Sequence, residues 1–116
     1  MARVINLSRG NAVLVENLEF ALTFGKRFLG LMGRRAIDPR GGLLLQPCRS
    51  VHTFWMRFPI DLVYLDPALR VLAVLENVPP GRIGPINRDA LSVLELPAGR
   101  VKDTGTAVGD ILVIQG

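Results

Sequence analysis

Ile60-Asp61-Leu62-Val63-Tyr64-Leu65, Asp66-Pro67-Ala68-Leu69 and Arg70-Val71-Leu72-Ala73-Val74-Leu75-Glu76 follow one another without a break. Asp at the first and Pro at the second position of a four-residue turn predicts that the flanking runs pair as an antiparallel hairpin. Both runs are apolar at successive positions, so each side of the hairpin needs cover. Asp61 is the exception. A carboxylate between Ile60 and Leu62 needs partners if it is buried, and Arg57 and His52 are the nearest candidates in sequence.

Working outward, the proline-rich segment from Val78 to Pro85 is expected to be an exposed loop, because prolines remove donors and fix φ. Leu91 to Leu96 reads as a strand, Pro97-Ala98 as the opening of a helical turn ended by Gly105, and Gly109-Asp110 as the turn into a last strand, Ile111 to Gln115. Upstream, Gly42 to Gln46 and Val51 to Arg57 read as strands. Thr23 can cap a helix spanning about 23–33, whose core face is Phe24, Phe28, Leu31 and Met32, with Gly30 permitting close approach of a neighbour. Val4 to Leu7 and Ala12 to Glu16, parted by Ser8-Arg9-Gly10-Asn11, make a second hairpin. The expected fold is α+β over one domain, residues 1–116: a compact, mostly antiparallel, strongly bent sheet or small open barrel, with one main helix and a short second helical turn.

Composition agrees. Of the 116 residues 49% are hydrophobic and 21% charged, which excludes disorder. A chain of this size buries roughly two-thirds of its surface without disulfides or a structural metal, and the single Cys48 forms no internal bridge. No apolar run approaches the ~20 residues of a membrane span, and no apolar signal segment precedes Asn6. A soluble, cytoplasmic protein is the expectation. The net charge of +4 is uneven: residues 26–57 hold seven basic residues (Lys26, Arg27, Arg34, Arg35, Arg40, Arg49, Arg57) against Asp38 alone. Such a segment is either a solvated face or an anion site. Arg34, Arg35 and Arg40 have no aromatic neighbours, which argues against nucleic acid.

The chemistry-bearing side chains gather near the middle of the chain. His52, the only histidine, lies within nine residues of Cys48 and Asp61, a set that suits a Cys-His-Asp nucleophile or a three-ligand metal site; a hydrogen-bonded His52 and a small buried Cys48 are the plainer reading. If Val51 to Arg57 is a strand, Phe54, Met56 and Phe58 share one face, while Trp55 points to the other with Thr53 and Arg57. Trp55 is then a stacking platform for a sugar, a base or a Pro-rich peptide, or it packs under the helix. Glu95 interrupts Val93-Leu94-x-Leu96, shares a face with Val93, and faces solvent or a cleft.

Taken in order, Arg27-x-x-Gly30-Leu31-Met32-x-Arg34, Gly42-Leu43-Leu44-Leu45, Phe54-Trp55-Met56 with Pro59-Ile60-Asp61, Val93 to Gly99, and Gly109-Asp110 resemble the prokaryotic family called domain of unknown function 192. The blocks cover most of the chain from Ala21 to Val113, and Cys48 to Thr53 looks like the variant with a Cys-x-x-x-His segment ahead of the tryptophan. The resemblance implies a compact, strand-rich single domain and transfers neither an activity nor a catalytic residue. The reading that follows is a non-enzymatic binding or accessory domain with a cleft built from Arg34, His52, Trp55, Arg57, Asp61 and Glu95. Its partner is expected to be a small molecule or peptide, with anionic ligands suggested by the arginines; no cofactor is expected. The alternatives are a hydrolase or metal-dependent enzyme using Cys48, His52 and Asp61, and, more weakly, nucleic-acid association through residues 26–57.

Overall fold

The computed structural model describes residues 2–116. β1 (Arg3–Asn6) and β2 (Ala12–Val15) form the first antiparallel hairpin, joined by a 3-10 turn whose exit residues Gly10 and Asn11 both have positive φ. β3 (Asn17–Ala21), α1 (Phe24–Leu29), β4 (Gly41–Leu45), β5 (Ile60–Leu65), β6 (Val71–Val78), β7 (Ser92–Pro97), α2 (Arg100–Thr104) and β8 (Leu112–Gln115) follow. They form two open sheets, one ordered β2-β1-β8 and the other β3-β4-β7-β5-β6. All pairings are antiparallel except β3 with β4. The α+β class holds, as do both hairpins, the turn at Asp66, the helical turn ending at Gly105 and the final strand.

The larger sheet is covered on both faces, and strand alternation divides its residues between them. Leu44, Val63, Leu65, Leu94 and Leu96 pack against Val4, Leu14, Val15 and Leu112 of the smaller sheet and Val101 of α2. On the opposite face Leu43, Leu45, Leu62, Tyr64 and Val93 meet no second sheet. Their cover is Leu31, Val51, Met56 and Ala90, all from connecting segments. Loops form such a lid only when pinned. Here Tyr64 donates its hydroxyl to Pro85 O (2.8 Å), Ser50 Oγ donates to Gly84 O (2.9 Å), and Thr53 Oγ1 donates to Pro79 O (2.7 Å) while accepting from Arg82 N (2.9 Å). Gly84 lacks a side chain of necessity, since a Cβ there would stand 2.6 Å from the Tyr64 hydroxyl.

Three local expectations are corrected. α1 ends at Leu29 instead of running to about 33, because Gly30 and Gly33 take positive φ. Thr23 caps it as expected, accepting from Lys26 N at 3.2 Å, but α1 buries none of its residues: Phe24 and Phe28 face outward, and only Leu31, beyond the helix, reaches the core. Val51 to Arg57 is not a strand. His52 alone forms a bridge, with Ile83, and Trp55 adopts φ 60°, which breaks the alternation expected for Phe54, Met56 and Phe58. Finally, β3 was not anticipated; its burial does not alternate, with both Glu19 and Phe20 exposed.

Asp61 is fully buried, and its partners are neither Arg57 nor His52. Oδ1 accepts from Asn77 N (2.8 Å), and Oδ2 accepts from Gly99 N (3.1 Å) and Val101 N (2.9 Å). α2 has no side-chain cap of its own, so this carboxylate from β5 satisfies its first turn and clasps it to the sheet. A second clasp is Asp110, whose Oδ2 accepts from Arg9 Nε (2.9 Å), Asn6 Nδ2 (3.0 Å) and Ala107 N (2.9 Å). Removing the Asp61 acceptors leaves three amides without partners. Asp61→Ala is therefore expected to cost roughly 3–5 kcal/mol in denaturant unfolding; a loss below about 1 kcal/mol contradicts the clasp.

Candidate functional site

Phe24 and Phe28 lie one helical turn apart on the outer side of α1 and stack with ring centroids 6.3 Å apart. The row continues across the next loop: Phe28 to His52 is 5.6 Å, His52 to Phe54 5.4 Å, His52 to Trp55 6.5 Å, and Phe54 to Trp55 6.0 Å. His52 is the hub, half-buried, its Nδ1 accepting from Phe54 N at 3.2 Å. These rings are not core. Phe24 is 77% and Trp55 72% exposed. The left-handed backbone at Trp55, worth about 1–2 kcal/mol for a residue with a Cβ, turns its ring outward.

Phe24, Phe28 and His52 border a cleft of about 350 Å³ between α1 with the Gly30–Met32 segment and the loop from Pro47 to Met56. Its walls include Leu29, Leu31, Leu45, Val51 and Met56, and Glu95 also lines it. Glu95 stands on β7 opposite Leu43 of β4 and Leu62 of β5, on the apolar face that the loops cover. It is only 2% exposed, and its Oε1 has no hydrogen-bond partner among the described residues. Gly30 makes this possible. A Cβ on Gly30 would lie 3.3 Å from Glu95 Oε1, so a side chain there would press onto the carboxyl. Burial pushes Glu95 up to about 8, with the charge of Arg34 acting the other way.

The sequence-predicted residues divide between this cleft and other places. His52 and Glu95 line it, and Trp55 extends its aromatic rim. Arg34 lies outside, pairing with Glu19 at 2.8 Å on an exposed edge. Arg57 is exposed and makes no ion pair among the described residues. Asp61 is set apart, held by the amides of Asn77, Gly99 and Val101. Cys48 lines the cleft, its Sγ donating to Ser50 O at 3.1 Å, and burial pushes the thiol up, away from the reactive thiolate. Among the described residues no three His, Cys, Asp or Glu side chains form a metal-holding group, so Cys48, His52 and Asp61 do not assemble into one. The positive segment 26–57 is partly neutralised from outside it, Arg34 by Glu19 and Arg40 by Glu16. Sequence reasoning missed Phe24 and Phe28 as site residues; the signal was the pair of glycines that cut the helix short.

The family described as "Uncharacterized ACR", DUF192, matches residues 4–114. A UPF0127 protein of Pyrococcus furiosus is 34% identical over 115 residues, covering 94% of this chain and 95% of its own. A Sinorhizobium meliloti crystal structure, described as a candidate transcription regulator, superposes with TM-score 0.81 at 28% identity, over 97% of this chain and 90% of that one. A Novosphingobium aromaticivorans protein of unknown function superposes with TM-score 0.82 at 24% identity, over 97% and 82%, and shows the shared fold.

Glu95 has a measurable consequence for stability. Its value rises from an ordinary 4.5 to about 8 in the folded chain, so between those limits the folded state keeps a proton that the unfolded state releases. Stability from this group is fully present below about pH 4.5. It falls as pH rises, by roughly 1.4 kcal/mol per pH unit, and levels off above about 8. Urea midpoints taken across this range are expected to show that slope relative to Glu95→Gln, which lacks the titration; parallel curves contradict it.

Proposed function

The chain belongs to the DUF192 family, and from that premise we propose that it is a binding domain whose cleft beside α1 takes the apolar body of a small molecule or a peptide side chain. What supports this reading above all is the row of five rings, Phe24 to Trp55, held in contact with one another at the surface. Apolar surface left in water forgoes roughly 25 cal/mol per Å² of stabilisation, and a contiguous exposed patch marks interaction sites. The cleft has the size of small-ligand sites and a lining that is mostly apolar, with Arg27, Arg49, His52 and Glu95 among its polar groups. Among the described residues Cys48 and His52 make no hydrogen bond to each other: Cys48 donates to a backbone carbonyl and His52 Nδ1 accepts from a backbone amide. A binding role therefore fits better than the hydrolase reading. Nucleic-acid association is the weaker alternative, with Arg34 and Arg40 engaged by Glu19 and Glu16.

Trp55 is the single tryptophan and reports directly on the rim. Its emission is expected to be red-shifted and readily quenched by iodide, and to change saturably on titration with 2-phenylethanol as an aryl probe. Phe28→Ala is expected to weaken that binding by about tenfold, with the thermal midpoint moving by no more than a few degrees. A blue-shifted, protected Trp55, or a probe series without saturation, contradicts the proposal.

A further inference from the structure

We infer that Glu95 makes the cleft selective for ligands ending in a hydrogen-bond-donating nitrogen, an amine or a guanidine, carried on an apolar body. The inference rests on the binding reading above and names the chemistry of the ligand's inner end. Glu95 is almost wholly buried at the cleft, and Oε1 has no partner among the described residues. A buried acceptor of this kind costs about 1–3 kcal/mol for as long as it stays unpaired, more when it is charged. No neighbour in the sheet can supply a donor: Leu43 and Leu62 flank Glu95 in register. From above, Gly30 contributes no side chain, and a Cβ there would already crowd Oε1 at 3.3 Å. Among the described residues nothing donates to Oε1, so a donor carried by a ligand in the cleft would meet an unused acceptor.

A charged N–H is the best match. Hydrogen bonds in which the donor or the acceptor is ionised are roughly twice as strong as neutral ones, whereas a ligand carboxylate at the same place would meet like charge in the ionised form of Glu95. Aromatic rings also border the way in, Phe24, Phe28 and His52, which suits a cation that passes over a ring face. The arginines at the cleft, Arg27 and Arg49, oppose this. Arg27 donates Nη1 to Leu22 O at 2.9 Å, and Arg49 is exposed, where solvent screens it. The other charged or titratable groups around Glu95 are Arg34, already paired with Glu19, and Cys48 and His52 on the loop.

Three probes of nearly one shape separate the possibilities: 2-phenylethylammonium, 2-phenylethanol and phenylacetate, titrated calorimetrically into the full chain at about pH 8, where Glu95 is about half ionised. The expected order is ammonium tightest, by at least about tenfold over the alcohol, with phenylacetate weakest. Glu95→Gln is expected to remove the preference for ammonium over the alcohol. The comparison in the unaltered protein decides the matter even if the variant folds poorly. Alcohol and ammonium binding alike, or phenylacetate tightest, overturns the selectivity and leaves the cleft reading standing. No binding by any of the three overturns both.

Discussion

Strand β7 has a hydrogen-bonded neighbour on each side, β4 and β5, and apolar cover on both faces, and the carboxyl of Glu95 interrupts that cover. The rest of the architecture can be understood from this position. One face of the sheet is sealed by a second sheet and α2. The other, Glu95's face, is roofed by loops, tied down through Thr53, Ser50 and Tyr64. A roof of loops leaves a gap where a roof of helix would not, and the gap opens beside α1, where Gly30 leaves room above the carboxyl.

Two buried carboxyls on adjacent strands show the difference between one partnered by backbone amides and one without a partner among the described residues. Asp61 on β5 accepts three backbone amides and anchors α2. Glu95 on β7 points to the opposite face and finds apolar neighbours, so burial raises its affinity for the proton. A group kept neutral in this way destabilises the sheet less than a charge would, and it keeps an acceptor in reserve. The aromatic row has the same character: rings that would stabilise the fold if turned inward are instead held at the surface by a short helix and a left-handed Trp55.

How much of this was legible in the sequence depends on range. The hairpin at Asp66-Pro67, the glycine stop at Gly105 and the Thr23 cap are set by local chemistry, and all three stand. Strand alternation puts Glu95 on the Val93 face, toward solvent or a cleft, and the structure has it buried on that face, lining the cleft. What was not legible depends on distant partners. Residues 51–57 have the β-forming composition of a strand, yet Thr53 bonds to Pro79 and Arg82, and the segment becomes a loop. Phe24 and Phe28 have core-like spacing, but the glycines end α1 before it can lay a face on the sheet. β3 pairs in parallel with β4 across an intervening helix and loop, and nothing in Asn17-Leu18-Glu19-Phe20-Ala21 announces it. Asp61 needs partners if buried, and it is buried, but its partners are backbone amides, which leave no trace in a list of side chains, in place of the Arg57 or His52 expected.

The central claim is that Glu95 is a buried carboxyl without a protein partner, facing the cleft. The most direct measurement is a carbon-13 NMR titration of its side-chain carboxyl in the unliganded protein, assigned by comparison with Glu95→Gln. The account predicts a midpoint near pH 8. A midpoint in the ordinary carboxylate range, near 4.5, would mean that Glu95 is solvated or paired, and would contradict it.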